Sequence, residues 1–140
     1  MELKIVNSTE KDIFADSAAI RQTVFVEEQG FRDEFDEIDK TAFHFVAYDG
    51  EKAVGTARMF GEENTYHVGR FAVLSEYRGK GVGLFIMNEM ERFAQSIGVT
   101  GIVLSAQKRA VGFYEKLGYK TYGEEYLDEF YPHIEMRKEL

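Results

Sequence analysis

Leu3 and Ile5 alternate with polar neighbours, the period-two signature of a half-buried strand. Ser8 or Thr9 then stands where a helix would be capped, ahead of Ile13, Ile20, Val24 and Phe25, which keep helical spacing up to Gly30. Residues 31–40 are acidic and aperiodic, which predicts a loop beside that helix. Two apolar-rich runs, AFHFVAYD from residue 42 and KAVGTARMFG from residue 52, flank Asp49-Gly50, a pair suited to the positive φ of a tight hairpin. A third run, NTYHVGRFAVL, follows a turn around residues 62–64, and the three predict antiparallel pairing.

Beyond residue 81 the period lengthens. Val82, Phe85, Ile86, Met90, Phe93 and Ile97 recur at helical spacing, and Gly98 stands where the helix should stop. GIVLSA, residues 101–106, reads as a short buried strand, parallel to the strand before the helix because a crossover joins them. Ala110, Phe113, Tyr114 and Leu117 mark another helix that Gly118 ends, and the remainder reads as two strands joined near residues 128–132. No repeat or linker interrupts this order, so a single domain over residues 1–140 is expected. Its class is α+β: a central, mostly antiparallel sheet with one parallel pair, flanked by helices.

Composition narrows the function. A chain of 140 residues, 44% hydrophobic and 30% charged, has enough apolar content for a folded core. With 25 acidic and 17 basic side chains the net charge of −8 argues against nucleic acid as a partner, since a basic face supplies most of that affinity. A cationic substrate suits it better, and Glu27-Glu28, Asp33-Glu34, Asp36-Glu37 and Glu124-Glu125 are the acidic pairs that would attract one. The absence of cysteine excludes thiolate nucleophiles and disulfides. His44, His67 and His133 share no metal-ligand spacing, so no metal is expected. Neither a leader pattern nor an apolar run long enough to span a membrane is present in the sequence, and a soluble, cytoplasmic protein with no membrane partner is the expectation.

The segment with most chemistry is FAVLSEYRGKGVGL, residues 71–84, which leads a strand through a polar turn into a glycine-rich helix start. Arg78, Gly79, Lys80, Gly81, Val82 and Gly83 place backbone N–H groups, those at the three glycines with no Cβ in the way, at the positive end of a helix, with Leu84 next. A pyrophosphate fits such a cradle. A nucleoside-triphosphate P-loop would need Ser or Thr after its lysine, whereas Gly81 follows Lys80. A dinucleotide fingerprint fails too, because the third glycine of its spacing and the ribose-binding acid are both missing.

The spacing Arg78-x-x-Gly81-x-Gly83 resembles the acyl-coenzyme A pyrophosphate loop of the GNAT superfamily of N-acyltransferases, and AVGFYEKLGY from residue 110 resembles a second motif of that superfamily. The order of elements is similar as well, so the likeness covers nearly the whole chain. VFVEEQGF and EEYLDEFYPHIEM look like a small bacterial subgroup, although that subgroup's proline after its Glu-Gln pair is replaced here by Phe31-Arg32.

The resemblance implies acetyl-coenzyme A as co-substrate, held by residues 78–84 and by the strand amides of Phe71, Ala72 and Val73, with Gln107 where many relatives carry an asparagine facing the cofactor. It implies Tyr114 as the acid that protonates the departing thiolate, a role its phenol suits chemically. For deprotonating the amine the candidates are Glu28, Glu125 and His133, with Glu28, Gln29 and Glu125 on the acceptor side. The expected reaction is acetyl transfer to a primary amine, on a small molecule or peptide, by direct attack in a ternary complex, since no covalent nucleophile is recognisable. A monomer or homodimer is expected. Two other readings stay open: a sensor that binds acyl-coenzyme A without turnover, and an acidic-faced protein-interaction domain.

Overall fold

The computed structural model describes residues 1–31 and 35–140, so Asp33-Glu34 and Arg32 lie outside the described residues. In chain order the elements are β1 (Leu3–Asn7), α1 (Phe14–Arg21), β2 (Phe43–Asp49), β3 (Lys52–Glu62), β4 (Thr65–Val73), α2 (Val82–Ser96), β5 (Gly101–Gln107), α3 (Val111–Lys116), β6 (Lys120–Asp128) and β7 (Tyr131–Glu139). The strands form one seven-stranded sheet in the order β1-β2-β3-β4-β5-β7-β6. Only β4 and β5 run parallel; the other neighbours are antiparallel. This is the mostly antiparallel sheet with one parallel pair, flanked by helices, that the sequence leads one to expect.

Alternation along β2 shows how the layers are built. Val46 turns to one face and packs with Ile13, Ile20 and Val24 of the first helical segment. Phe45 and Ala47 turn to the other and meet Ile86, Met87 and Met90 of α2. The helices therefore cover opposite faces, and each fully buried side chain of α2 contributes roughly 1.5–3 kcal/mol.

Two expectations about residues 8–40 need correction. The first helix starts at Phe14, because Ser8 bonds β2 instead: its Oγ accepts from His44 N at 2.9 Å, and its N–H donates to His44 O at 2.9 Å. The helix also changes pitch, since residues Gln22–Glu28 are π-helical and Gln29 N donates to Val24 O, five residues back, at 3.2 Å. The run Thr23 to Val26, β-branched and aromatic, gives the tighter α-turn little support.

The second correction concerns residues 36–40 of the acidic segment, where Glu37–Lys40 form a 3-10 turn and Asp36 and Asp39 serve as an ionic anchor. Asp39 Oδ1 and Oδ2 accept from both terminal nitrogens of Arg21 at 2.8 and 3.1 Å, and Arg58 Nη1 donates to Asp39 at 2.9 Å. Arg58 also reaches Asp36 at 2.6 and 3.0 Å. Arg21 and Arg58 are only 1% and 3% exposed. Burial pushes the Asp39 carboxyl up, but hydrogen bonds from Arg21 and Arg58, with the Arg21 charge, outweigh it and hold its pKa at about 2.

Candidate functional site

The parallel pairing of β4 and β5 begins at Thr65 with Gly101 and ends at Val68 with Leu104. Beyond Val68 the β3 side of β4 stays paired, interrupted by a bulge in which Arg70 adopts φ +49°, while the β5 side parts from its neighbour. A cleft of about 1040 Å³ occupies the gap, with Phe71, Ala72 and Val73 on one wall and Leu104, Ser105 and Gln107 on the other.

From Val73 the chain turns into the glycine loop at the mouth of this cleft. Gly79 and Gly81 have φ of +74° and +85°, and a Cβ on either would meet nothing within 4 Å; backbone conformation, not space, calls for glycine there. At Gly83 the reason is reversed: a Cβ would lie 3.2 Å from the Phe71 ring and 3.3 Å from the Phe113 ring. Phe85 N makes the first helical bond, to Gly81 O at 3.0 Å, and the N–H groups of residues 79–84 donate to no described residue. A row of unpaired donors at the start of a 15-residue helix is an anion site by construction.

The side chains around this row point in different directions. Arg78 Nε donates to Val73 O at 2.9 Å and its Nη2 to Glu28 Oε2 at 2.8 Å, which ties the loop to the π-helical segment. Lys80 turns away from the cleft and lies 5.7 Å from the Tyr77 ring centre, on the wall of a separate shallow pocket with Asp49 and Lys52. Val82 is buried in the core, so toward the cleft it offers only its N–H, whereas Leu84 stands on the lining.

Tyr114 is 7% exposed, packed between the rings of Phe71, Phe113 and Tyr119, and reaches the cleft. No described residue hydrogen-bonds its hydroxyl, and burial alone pushes its pKa well above the ordinary phenol value, which keeps the proton on oxygen. Gln107 Nε2 donates to Gln29 Oε1 at 2.8 Å, and Gln107 Oε1 accepts from Arg109 Nε at 2.9 Å. Glu28 and Gln29 thus reach both lips of the cleft, one through Arg78 and one through Gln107.

His133 lies on β7 opposite Gln107 and on the cleft wall, 5% exposed. Glu125 does not join these residues. It sits on exposed β6, paired with Lys108 at 3.1 Å, and is not part of the lining, which β6 reaches only at its far end, Asp128.

The structure adds residues the sequence reading passed over: Asp128, Tyr131, Phe31 and Arg70 all line the cleft. Phe31 stacks on Tyr131 with ring centres 5.2 Å apart, and Arg70 bonds Asp36 at 3.3 Å. The segment YLDEFYPH carried a signal for two of them, since a hairpin there brings Asp128 and Tyr131 next to His133. Among the described residues, no group of three or more His, Asp or Glu is placed to hold a metal, and no helix is long and apolar enough to cross a membrane.

Comparison with known proteins adds to this geometry. Residues 9–140 match the acetyltransferase (GNAT) domain. The uncharacterised N-acetyltransferase YjcF of Bacillus subtilis (strain 168) is 38% identical over 98% of this chain and 100% of its own length. The crystal structure of a protein from Lactobacillus plantarum described as an N-acetyltransferase superposes with a TM-score of 0.91 at 30% identity, covering 100% of this chain and 99% of that one. An acyl-CoA N-acyltransferase from Pseudomonas aeruginosa superposes at 0.85 with 25% identity and 98% of each chain covered.

Proposed function

The chain belongs to the GNAT acetyltransferase family, and on that premise we propose that it moves the acetyl group of acetyl-coenzyme A to a primary amine by direct attack in a ternary complex. The observation that carries the proposal is the row of unpaired N–H groups at residues 79–84, placed at the mouth of a cleft opened by two parting parallel strands.

The residues present suit the donor. The N–H row receives a diphosphate, and the nearby edge of β4 at Phe71, Ala72 and Val73 suits an extended pantetheine arm. Acetyl-coenzyme A supplies an activated thioester, and everything else falls to the protein. Backbone N–H groups of β4 align the carbonyl and stabilise negative charge on its oxygen. The Tyr114 hydroxyl, protonated and without a partner, gives its proton to sulfur as the carbon–sulfur bond breaks. The splayed strands let the acceptor approach from the side of Glu28, Gln29 and His133 while the donor lies along α2 and α3. The net charge of −8 favours an acceptor that arrives as a cation.

Thiol release from acetyl-coenzyme A in the presence of ethanolamine, glucosamine, spermidine or lysine amide tests the reading, with coenzyme A binding followed separately by thermal shift. Coenzyme A at 100 times its dissociation constant stabilises by about 2.7 kcal/mol. No shift at saturation would end the donor-site reading. A shift with no acceptance of any amine would favour a sensor.

A further inference from the structure

His133 Nδ1 lies 2.9 Å from the carbonyl oxygen of Tyr131. A carbonyl only accepts, so this nitrogen carries the hydrogen and the neutral ring keeps its lone pair on Nε2. The ring is 5% exposed and stacked on Tyr126, whose hydroxyl is bonded to Ser105, so it has one orientation. Nε2 has no hydrogen-bond partner among the described residues. Its neighbour is Asp128 Oδ2 at 3.9 Å, too far for a hydrogen bond, and no described Lys or Arg forms an ion pair with that carboxylate. Both residues line the cleft. Two acceptors at this separation leave room for a single ammonium that donates a hydrogen bond of roughly 2.9 Å to each. Glu28, the competing candidate, already has its carboxylate on Arg78.

We infer that the acceptor binds as a protonated primary amine between Asp128 and His133, with Asp128 holding the cation and His133 Nε2 taking its proton. The inference rests on the amine-acetylation reading above and names the site of that reading's second substrate. In the step, an N–H bond of the ammonium breaks and the proton joins Nε2, while the electron pair stays on the amine nitrogen. That pair forms the bond to the acetyl carbon as the carbon–sulfur bond breaks, and sulfur takes the Tyr114 proton. The nitrogen, now bonded to carbon, gives up its second proton to the tyrosinate, so the phenol is restored and the imidazolium returns its proton to water.

Two experiments test this independently. Long-range proton–nitrogen NMR of the coenzyme A complex at alkaline pH, assigned against His133→Gln, should show Nδ1–H and a bare Nε2. Methylammonium chloride should shift that Nε2 signal in the wild type but not in Asp128→Asn. An Nε2–H ring, or an identical methylammonium response in Asp128→Asn, overturns the inference even if no amine in the panel is turned over.

With an amine that the wild type accepts, His133→Ala should lower kcat about 100-fold or more and recover at least about ten-fold with added imidazole, while keeping the coenzyme A thermal shift. Asp128→Asn should raise KM for the amine about ten-fold with kcat within about three-fold, as loss of a binding contact does. Full activity in His133→Ala would also refute it. Loss of coenzyme A binding in the wild type would instead refute the donor-site reading.

Discussion

Replacing Asp39 with asparagine keeps the shape of the side chain and removes the charge that two buried guanidinium groups share. The carboxyl has a pKa of about 2 against 3.8 for the free group, and a gap of that size is worth about 2–3 kcal/mol at neutral pH by linkage. Breaking one partner of a buried pair costs about 3 kcal/mol or more, so the two routes agree. At roughly 3–4 °C per kcal/mol for a chain of this length, Asp39→Asn should melt about 10 °C lower at pH 7. The pH dependence adds a sharper condition. A carboxylate whose pKa is depressed by folding contributes its full stability above the unfolded value, and loses it as pH falls through the folded one. The gap between wild type and Asp39→Asn should therefore be constant from pH 7 to about 5 and fall by about half at pH 3. Urea unfolding of both proteins across that range measures it. A difference under about 1 kcal/mol at pH 7, or one that does not shrink in acid, would refute the anchor.

Three further outcomes follow from the site. Tyr114→Phe removes a hydroxyl with no described partner, so stability should change by less than about 0.5 kcal/mol while kcat falls about 100-fold or more; an unchanged kcat would return Tyr114 to the core. Gly81→Ala meets no atom within 4 Å but forces a left-handed conformation costing about 1–2 kcal/mol, and calorimetry should show coenzyme A bound about ten-fold more weakly; unchanged affinity would mean the N–H row is not the anion site. Glu28→Gln breaks a partly exposed pair with Arg78, so stability should move by about 1 kcal/mol at most and kcat should stay within about three-fold. A 100-fold loss there would make Glu28 the base.

The strands and the two later helices were legible because each buries one face, and a half-buried element writes its period into the chain: Ile86 and Met90 keep helical spacing, and Phe45 and Val46 turn to opposite faces. The glycine loop was legible for a different reason, since positive φ at Gly79 and Gly81 restricts which residues can stand there. What failed to show depends on partners distant in sequence. Nothing local marks Asp39 as the mate of Arg21 and Arg58, 18 and 19 residues away, and an acidic stretch without periodicity reads as solvated. Ser8 looked like a cap because its competing bond to His44 lies 36 residues on. Lys80 and Glu125 carry suitable charges, but backbone direction sends the first over Tyr77 and the second to the sheet edge beside Lys108. The Asp128 and His133 pairing needed the hairpin before it became visible.

The pitch change at residues 22–28 separates what this scaffold can alter from what it must keep. Removing one residue from that stretch would restore an ordinary helix and swing everything after it by about 100°, carrying Glu28 and Gln29 off the lips of the cleft and breaking the tie from Glu28 to Arg78, while the N–H row of residues 79–84, which bonds neither residue, keeps its helix start. One lip of the cleft thus depends on the length of a single turn, whereas the N–H row depends on the start of α2.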